Sequence, residues 1–62
     1  MCLSNVYEIR GEEKILLGKN IALIKTEGDT IILTDLMGVQ TVLHGEITKI
    51  DLMDNFIHVK KA

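Results

Sequence analysis

The sequence predicts an all-β fold: a small SH3-like or Sm-like antiparallel barrel of five to seven short strands. Turn signals built on Gly, Asn and Asp recur every six to ten residues along the chain. Apolar residues never sustain the i, i+3, i+4, i+7 spacing of an amphipathic helix. The connections are too short for parallel crossovers, so neighbouring strands are expected to be antiparallel. Closing such a sheet into a barrel removes its exposed edges.

The first half of the chain contains three strand candidates. The first ends at a turn that begins with Gly11, and a second break falls at 18–20. The residues at 27–30 predict a tight hairpin, because Gly28-Asp29 accepts the positive φ angles of such a turn. The three candidates are residues 5–10, 14–17 and 21–26.

The second half contains four more strand candidates. A wider connection is expected over 35–38, and His44-Gly45 is expected to interrupt the chain. Ile47 falls on the face opposite Ile50 and Leu52, which calls for a bulge or for burial on both sides of the strand. The four candidates are residues 31–34, 39–43, 46–52 and 56–60.

The length of 62 residues predicts one domain over residues 1–62. A domain of this size buries only about 60% of the surface of its unfolded chain, so a partner subunit or a metal is expected to add stability. The hydrophobic content is 47%, which is difficult to bury completely in so small a volume. We therefore expect a homodimer that covers the remaining apolar surface.

The charge pattern argues against a nucleic-acid partner. The net charge is −2, and acidic and basic residues are interspersed along the chain, whereas nucleic-acid binders usually carry a basic face. No apolar run approaches the roughly 20 residues of a membrane span, and the amino terminus lacks the features of a signal peptide. A single free cysteine without a secretion signal suits a reducing cytoplasm.

Cys2 is the residue that we expect to carry chemistry. The alternative is a free terminal thiol without function. As a metal ligand, a thiolate is a soft donor, and Ni(II) or Cu(II) with added nitrogen donors favours square-planar geometry. One thiolate is too few for a tight site, but a homodimer can bring two copies of Cys2 to its two-fold axis.

The opening Met1-Cys2-Leu3-Ser4-Asn5-Val6-Tyr7 resembles that of the CooT-like family of small nickel-binding proteins. Two later segments are also similar to that family's pattern. The first consists of residues 21–24 followed by residues 28–38, and the second is residues 45–52.

The resemblance implies a nickel-binding accessory protein of the metallochaperone kind. It would be a β-barrel homodimer that binds Ni(II) as cargo through Cys2 thiolates and backbone nitrogens at its paired amino termini. Removal of Met1 would free the Cys2 amine as a further donor. The expected client is a nickel enzyme such as carbon monoxide dehydrogenase.

Two other functions remain open from the sequence. The opening also resembles HypC-like maturation chaperones, although Leu3-Ser4-Asn5 replaces their usual Gly-Ile-Pro-like stretch; that reading gives a protein-interaction chaperone. The third reading is an RNA-binding Sm-like or SH3-like module, which rests on fold analogy alone.

The other polar side chains are expected to be structural or solvated. His44 is predicted in a solvated loop, and His58 is predicted at the surface or at an interface. No two carboxylates are placed as an acid–base pair, so we do not expect an enzyme. Leu36-Met37 and Leu52-Met53 are expected to plug gaps or to form interface contacts.

Overall fold

A computed structural model describes residues 2–62 and shows five strands that close into a barrel. This confirms the all-β prediction, at the lower end of the expected strand number. Among these residues there is no helix with the length and apolarity that a membrane crossing would need. The strands are β1 (Ser4–Arg10), β2 (Glu13–Glu27), β3 (Thr30–Asp35), β4 (Gln40–Asp51) and β5 (Phe56–Lys61).

Two of the five strands are longer than the sequence suggests. The break expected at 18–20 lies inside β2, and the interruption expected at His44-Gly45 lies inside β4. Both predictions of a chain break were wrong, because each long strand bends and pairs with a different neighbour on either side of the bend. β2 pairs first with β1 and then with β3, and β4 pairs first with β3 and then with β5. The local signals mark bends in continuous strands.

Of the two alternatives expected at Ile47, a bulge or burial on both sides of the strand, the structure shows the bulge. Ile47 is opposite Val59, whereas Lys49 is opposite His58, so Thr48 is an extra residue on β4. Ile47 packs against the core, while Ile50, beyond the bulge, is exposed. The single extra residue thus changes which side chains of the second half of the strand face the core. The hairpin at 27–30 is also confirmed, with Gly28 in the left-handed region at φ 60°.

The barrel closes through the pairing of β1 with β5, which is parallel. The other four pairings are antiparallel. The parallel pair joins residues that are far apart in the chain, with Asn5 opposite Phe56 and Glu8 opposite Val59. The first strand is therefore held on both sides, by β2 and by β5.

The core consists of aliphatic side chains that point into the barrel from all five strands. Leu17, Ile24 and Ile47 pack against it from partly buried positions. In β1, β3 and β5 alternate residues face inward, as the pleat requires, whereas the alternation in β2 and β4 shifts where their register shifts. The buried members are Val6, Ile21, Ile31, Leu33, Leu43, Ile57 and Val59.

Candidate functional site

Cys2 is exposed and its thiol is free. It precedes β1, so its backbone is not part of a strand. Two residues later Ser4 is paired with Ile21, at the bend of β2. Cys2 therefore projects from the barrel at a defined place, with a sulfur donor and backbone nitrogens outside the sheet. Met1, whose removal would free the Cys2 amine, lies outside the described residues.

Three asparagines hold the start of β1 in place. The backbone N–H of Asn5 donates to the carbonyl of Asn55 at 3.1 Å. The side-chain Oδ1 of Asn5 accepts from the Asn20 N–H at 3.3 Å. The Asn20 carbonyl accepts in turn from the Leu36 N–H at 2.9 Å. Asn20 and Asn55 adopt positive φ angles of 56° and 57°, a conformation that Asn tolerates better than most residues. The bonds link the amino-terminal segment to the turns at 35–39 and 51–55.

These two turns share a sequence and a construction, and we call them the Asp-Leu-Met turns. In the first, Asp35 Oδ1 accepts from the N–H groups of Met37 and Val39, both at 2.9 Å. In the second, Asp51 Oδ1 accepts from the N–H groups of Met53 and Asp54, at 2.9 and 2.8 Å. A short side chain that binds backbone N–H groups ahead of it fixes a turn.

The Asp-Leu-Met turns lie at the end of the barrel from which Cys2 projects. Ile21 is opposite both Ser4 and Asp35, so the first turn lies across one strand from the start of β1. Phe56 is opposite both Asn5 and Asp51, so the second turn lies across β5 from it. The start of β1 is therefore flanked by one turn on each side.

The tips of the two turns carry the most exposed large apolar side chains of residues 2–62. Met53 is 90% exposed, Met37 84% and Leu52 81%. Side chains with this exposure contribute almost nothing to the stability of the fold, since hydrophobic stabilisation is proportional to the apolar area removed from water. We call this surface the apolar rim; it comprises Leu36, Met37, Val39, Leu52 and Met53.

The donor set of one chain falls short of a metal site. Within residues 2–62, no group of three or more His, Cys, Asp or Glu side chains is close enough to hold a metal ion. Cys2 offers one thiolate, and the unpaired backbone beside it offers nitrogens. This set suits a soft or borderline metal such as Ni(II), but the described residues of one chain do not complete a site.

Neither histidine lies near Cys2 in the strand register. His44 is exposed as expected, but it lies within β4 opposite Thr30, and its Nδ1 is 3.4 Å from the Thr30 hydroxyl. His58 is half-buried between two rings, with centroids 4.9 Å from Phe56 and 6.3 Å from Tyr7. Its buried Nε2 has no hydrogen-bond partner. Two lysines lie over the same rings, Lys14 over Tyr7 and Lys49 over Phe56.

Glu8 is a feature that the sequence analysis did not single out. It lies in β1 at 5% exposure, facing the interior like Val6. The Arg10 guanidinium donates two hydrogen bonds to its carboxylate, at 3.1 and 3.2 Å. Such a fork neutralises a buried carboxylate. The sequence indicates the burial of Glu8, because this acidic residue lies two positions after Val6 and therefore on the same face of the strand.

Comparison with known proteins finds matches that cover nearly the whole chain. A family model described as "CO dehydrogenase accessory protein CooT" matches residues 1–60. An uncharacterized protein of Methanocaldococcus jannaschii is 37% identical over 60 residues, which cover 97% of this chain and 98% of that protein. The crystal structure of a protein from Carboxydothermus hydrogenoformans, assigned as CooT, superposes with a TM-score of 0.92. The superposition covers 98% of each chain at 16% sequence identity, so it shows a similarity of fold.

Proposed function

This chain belongs to the CooT family of CO dehydrogenase accessory proteins, and we propose that it binds Ni(II) as cargo for a nickel enzyme. It is thus an accessory protein and not an enzyme. Two chains would contribute one Cys2 thiolate each, with backbone nitrogens of the amino-terminal segments as further donors. The client would be carbon monoxide dehydrogenase or a related nickel enzyme.

The observation that carries this proposal is the position of Cys2. Its thiol is free and exposed, and its backbone lies outside the strands. Amide nitrogens that are committed to a sheet ladder are poor candidates for metal binding, because each already serves as a hydrogen-bond donor. The residues after Cys2 are fixed by the three-asparagine network. Because the residues after Cys2 are already held in place, two chains can bring their Cys2 residues to one ion at a small cost in chain entropy.

A surface suited to pairing of two chains lies on the outer side of β2, β3 and β4. Ile32 of β3 is opposite Lys25 of β2 and Val42 of β4. Leu23 lies two residues before Lys25, on the same outer face of β2. Leu23 and Val42 are both exposed. We call Leu23, Ile32 and Val42 the aliphatic face, and we assign it to the second chain. Lys25, which lies beside these residues on the same outer face, is paired with Glu27 at 3.4 Å, and homodimer interfaces are typically poor in free charge.

The RNA-binding alternative has weaker support. Stacking on single-stranded bases needs open aromatic faces, whereas Tyr7 and Phe56 are half-buried. Lys14 Nζ lies 4.5 Å from the centroid of Tyr7, and Lys49 Nζ lies 5.2 Å from that of Phe56. These two lysines already cover the rings that a base would use.

A nickel titration tests the proposal directly. Wild type, Cys2→Ala and Cys2→Ser would be titrated with Ni(II) after mass spectrometry has established whether Met1 is retained. We expect wild type to saturate at about one ion per two chains with a thiolate-to-nickel charge-transfer band. Both variants should lose the band and the tight site. Equal, weak binding by all three proteins would refute the proposal.

A further inference from the structure

A groove opens between β1 and β5 at the end of the barrel opposite to Cys2. The parallel ladder of these two strands ends at Glu8 opposite Val59, whereas each strand continues for two more residues. The space between the strand ends has a volume of about 450 Å³ and is lined by residues 8–11 and 60–62. This volume is in the range of about 300–1,000 Å³ that is usual for ligand sites.

From the backbone and the charges of this groove we infer that it binds an extended, acidic segment of the client protein. The inference rests on the proposed function only in naming the client as the partner. The groove lies about 20 Å from the start of β1, because the seven residues of that strand rise about 3.3 Å each. Two chains that meet through Cys2 therefore leave the groove free, whereas the apolar rim lies at the end where they meet.

The strand ends present a backbone donor and a backbone acceptor that do not bond to each other. The Asn5 N–H donates to the Asn55 carbonyl, so the odd-numbered residues of β1 direct their backbone groups towards β5. The next bond of this series would run from the Lys61 N–H to the Ile9 carbonyl. In the described part of the chain the ladder ends before this bond is formed. The two groups therefore face the groove.

The other side of β5 gives the same orientation for Lys61. The Ala62 N–H donates to the His44 carbonyl of β4 at 3.0 Å, so the preceding N–H points away from β4 and towards the groove. Consecutive residues of an extended chain direct their backbone groups to opposite sides. One residue of a client segment can therefore accept from the Lys61 N–H while the next donates to the Ile9 carbonyl. This is recognition by strand addition.

The side chains that line the groove favour an acidic partner. They include three cations, Arg10, Lys60 and Lys61, and the carboxylate of Glu8. Arg10 is already engaged by Glu8, whereas neither lysine forms an ion pair within residues 2–62. With a carboxylate on Ala62, the positive charges still outnumber the negative ones by three to two. A carboxylate of the partner would complement the two lysines.

Three further carboxylates restrict where an acidic side chain of the partner can lie. Glu46 is opposite Lys60 on β4, and Glu12 and Glu13 lie in the turn and at the start of β2 that follow β1. None of the three lines the groove, but each repels an acidic group on its own side. The favourable position is therefore beside Lys61.

A second copy of this chain is a poor occupant of the groove. The five strands form a closed barrel, so none of them is free to add to the strand ends of another chain. The residues before Ser4 are assigned to the metal site. A client segment bound at the opposite end would hold the client at a high local concentration beside its cargo without covering Cys2.

Binding of defined peptides to the full chain tests the inference. The probe is a peptide of about eight residues in which Thr and Asp alternate, since strand addition needs an extended segment. The charge control alternates Thr and Lys. The backbone control has the side chains of the probe and N-methyl groups on its central amides, which removes the donors. We expect only the Thr/Asp peptide to bind, with shifts of the amide NMR signals at 8–11 and 60–62.

Charge-matched variants test the role of the lysines. Lys60→Gln/Lys61→Gln should weaken binding of the Thr/Asp peptide about fivefold or more. Lys19→Gln/Lys25→Gln changes the net charge equally at two exposed positions outside the groove and should have no effect. Equal losses in the two variants, or equal binding of either control peptide, would overturn the inference. Loss of self-association in Lys60→Gln/Lys61→Gln would also overturn it, since a second chain would then occupy the groove.

Nickel titrations of the same proteins distinguish failure of docking from failure of the proposed function. Lys60→Gln/Lys61→Gln leaves Cys2 intact and should bind nickel like wild type. If wild type binds no nickel but the Thr/Asp peptide binds in the groove, the docking site stands and the cargo is wrong. If nickel binds and the double lysine variant binds the peptide like wild type, the cargo stands and the docking site is wrong.

Discussion

The side-chain Oδ1 of Asn5 accepts a hydrogen bond from the backbone N–H of Asn20, at 3.3 Å and across 15 positions of sequence. Asn20 lies at the bend of β2 with a φ angle of 56°, so its N–H has left the regular ladder. One side chain thus satisfies a backbone donor at the bend and fixes the strand that follows Cys2. The candidate metal site is held in place by this contact, although neither residue is a ligand.

Asn5→Ala should therefore destabilise the protein and loosen the amino-terminal segment. Loss of one hydrogen bond that leaves a partly solvated donor costs about 1 kcal/mol, which urea unfolding would measure. The control is Asn5→Asp, which retains an acceptor for Asn20 and loses only the long 3.5 Å contact with the Tyr7 hydroxyl. Equal destabilisation by both substitutions would show that the bond to Asn20 is not the cause.

The sequence predicts those features of this fold that depend on neighbouring residues. The hairpin at Gly28 and the bulge after Ile47 both follow from local chemistry, and both are present. The bends at Asn20 and at Gly45 carry the same local signals as chain breaks. Whether such a signal ends a strand or bends it depends on the neighbours that a closed barrel supplies, and these neighbours are distant in sequence.

The candidate site also has features that are visible in the sequence and features that depend on the pairing of distant strands. The unusual position of Cys2 is visible in the sequence, and so is the repeated Asp-Leu-Met at 35–37 and 51–53. That both repeats flank the start of β1 depends on the pairing of Ser4 with Ile21 and of Asn5 with Phe56. The second pairing is the parallel one that closes the barrel, and no local pattern encodes it.

Val42→Lys should convert the proposed homodimer into a monomer without unfolding it. Val42 is 58% exposed on the outer face of β4, so a lysine there is hydrated in the single chain. At a two-fold interface it would bring an unpaired charge into an apolar contact, which costs several kcal/mol. Light scattering coupled to gel filtration would measure the mass with and without nickel. Leu16→Lys, at an exposed position outside the aliphatic face, should remain dimeric; equal dissociation by both variants would contradict the assignment of this face.

Gly45→Ala should be far more damaging than Gly28→Ala. A Cβ atom at Gly45 would lie 2.2 Å from the Lys60 carbonyl oxygen, a backbone atom of the paired strand β5, so β4 and β5 would have to separate. At Gly28 nothing lies within 4 Å, and the cost is limited to the left-handed backbone at φ 60°, about 1 kcal/mol. We expect Gly45→Ala to cost about 3 kcal/mol or more. Thermal unfolding would rank the two, and equal losses would show that β5 can move away freely.

His58→Phe should stabilise the single chain. The Nε2 atom of His58 is buried without a hydrogen-bond partner, which carries a desolvation cost that an apolar ring avoids. Phenylalanine retains the ring contacts with Tyr7 and Phe56, so we expect a gain of about 0.5–1 kcal/mol in the free energy of unfolding. His44→Phe is the matched control; His44 is exposed and close to the Thr30 hydroxyl, and this change should be neutral or slightly destabilising. A loss of stability in His58→Phe would mean that Nε2 has a partner in solution, and hydrogen exchange at His58 and Tyr7 would then locate it.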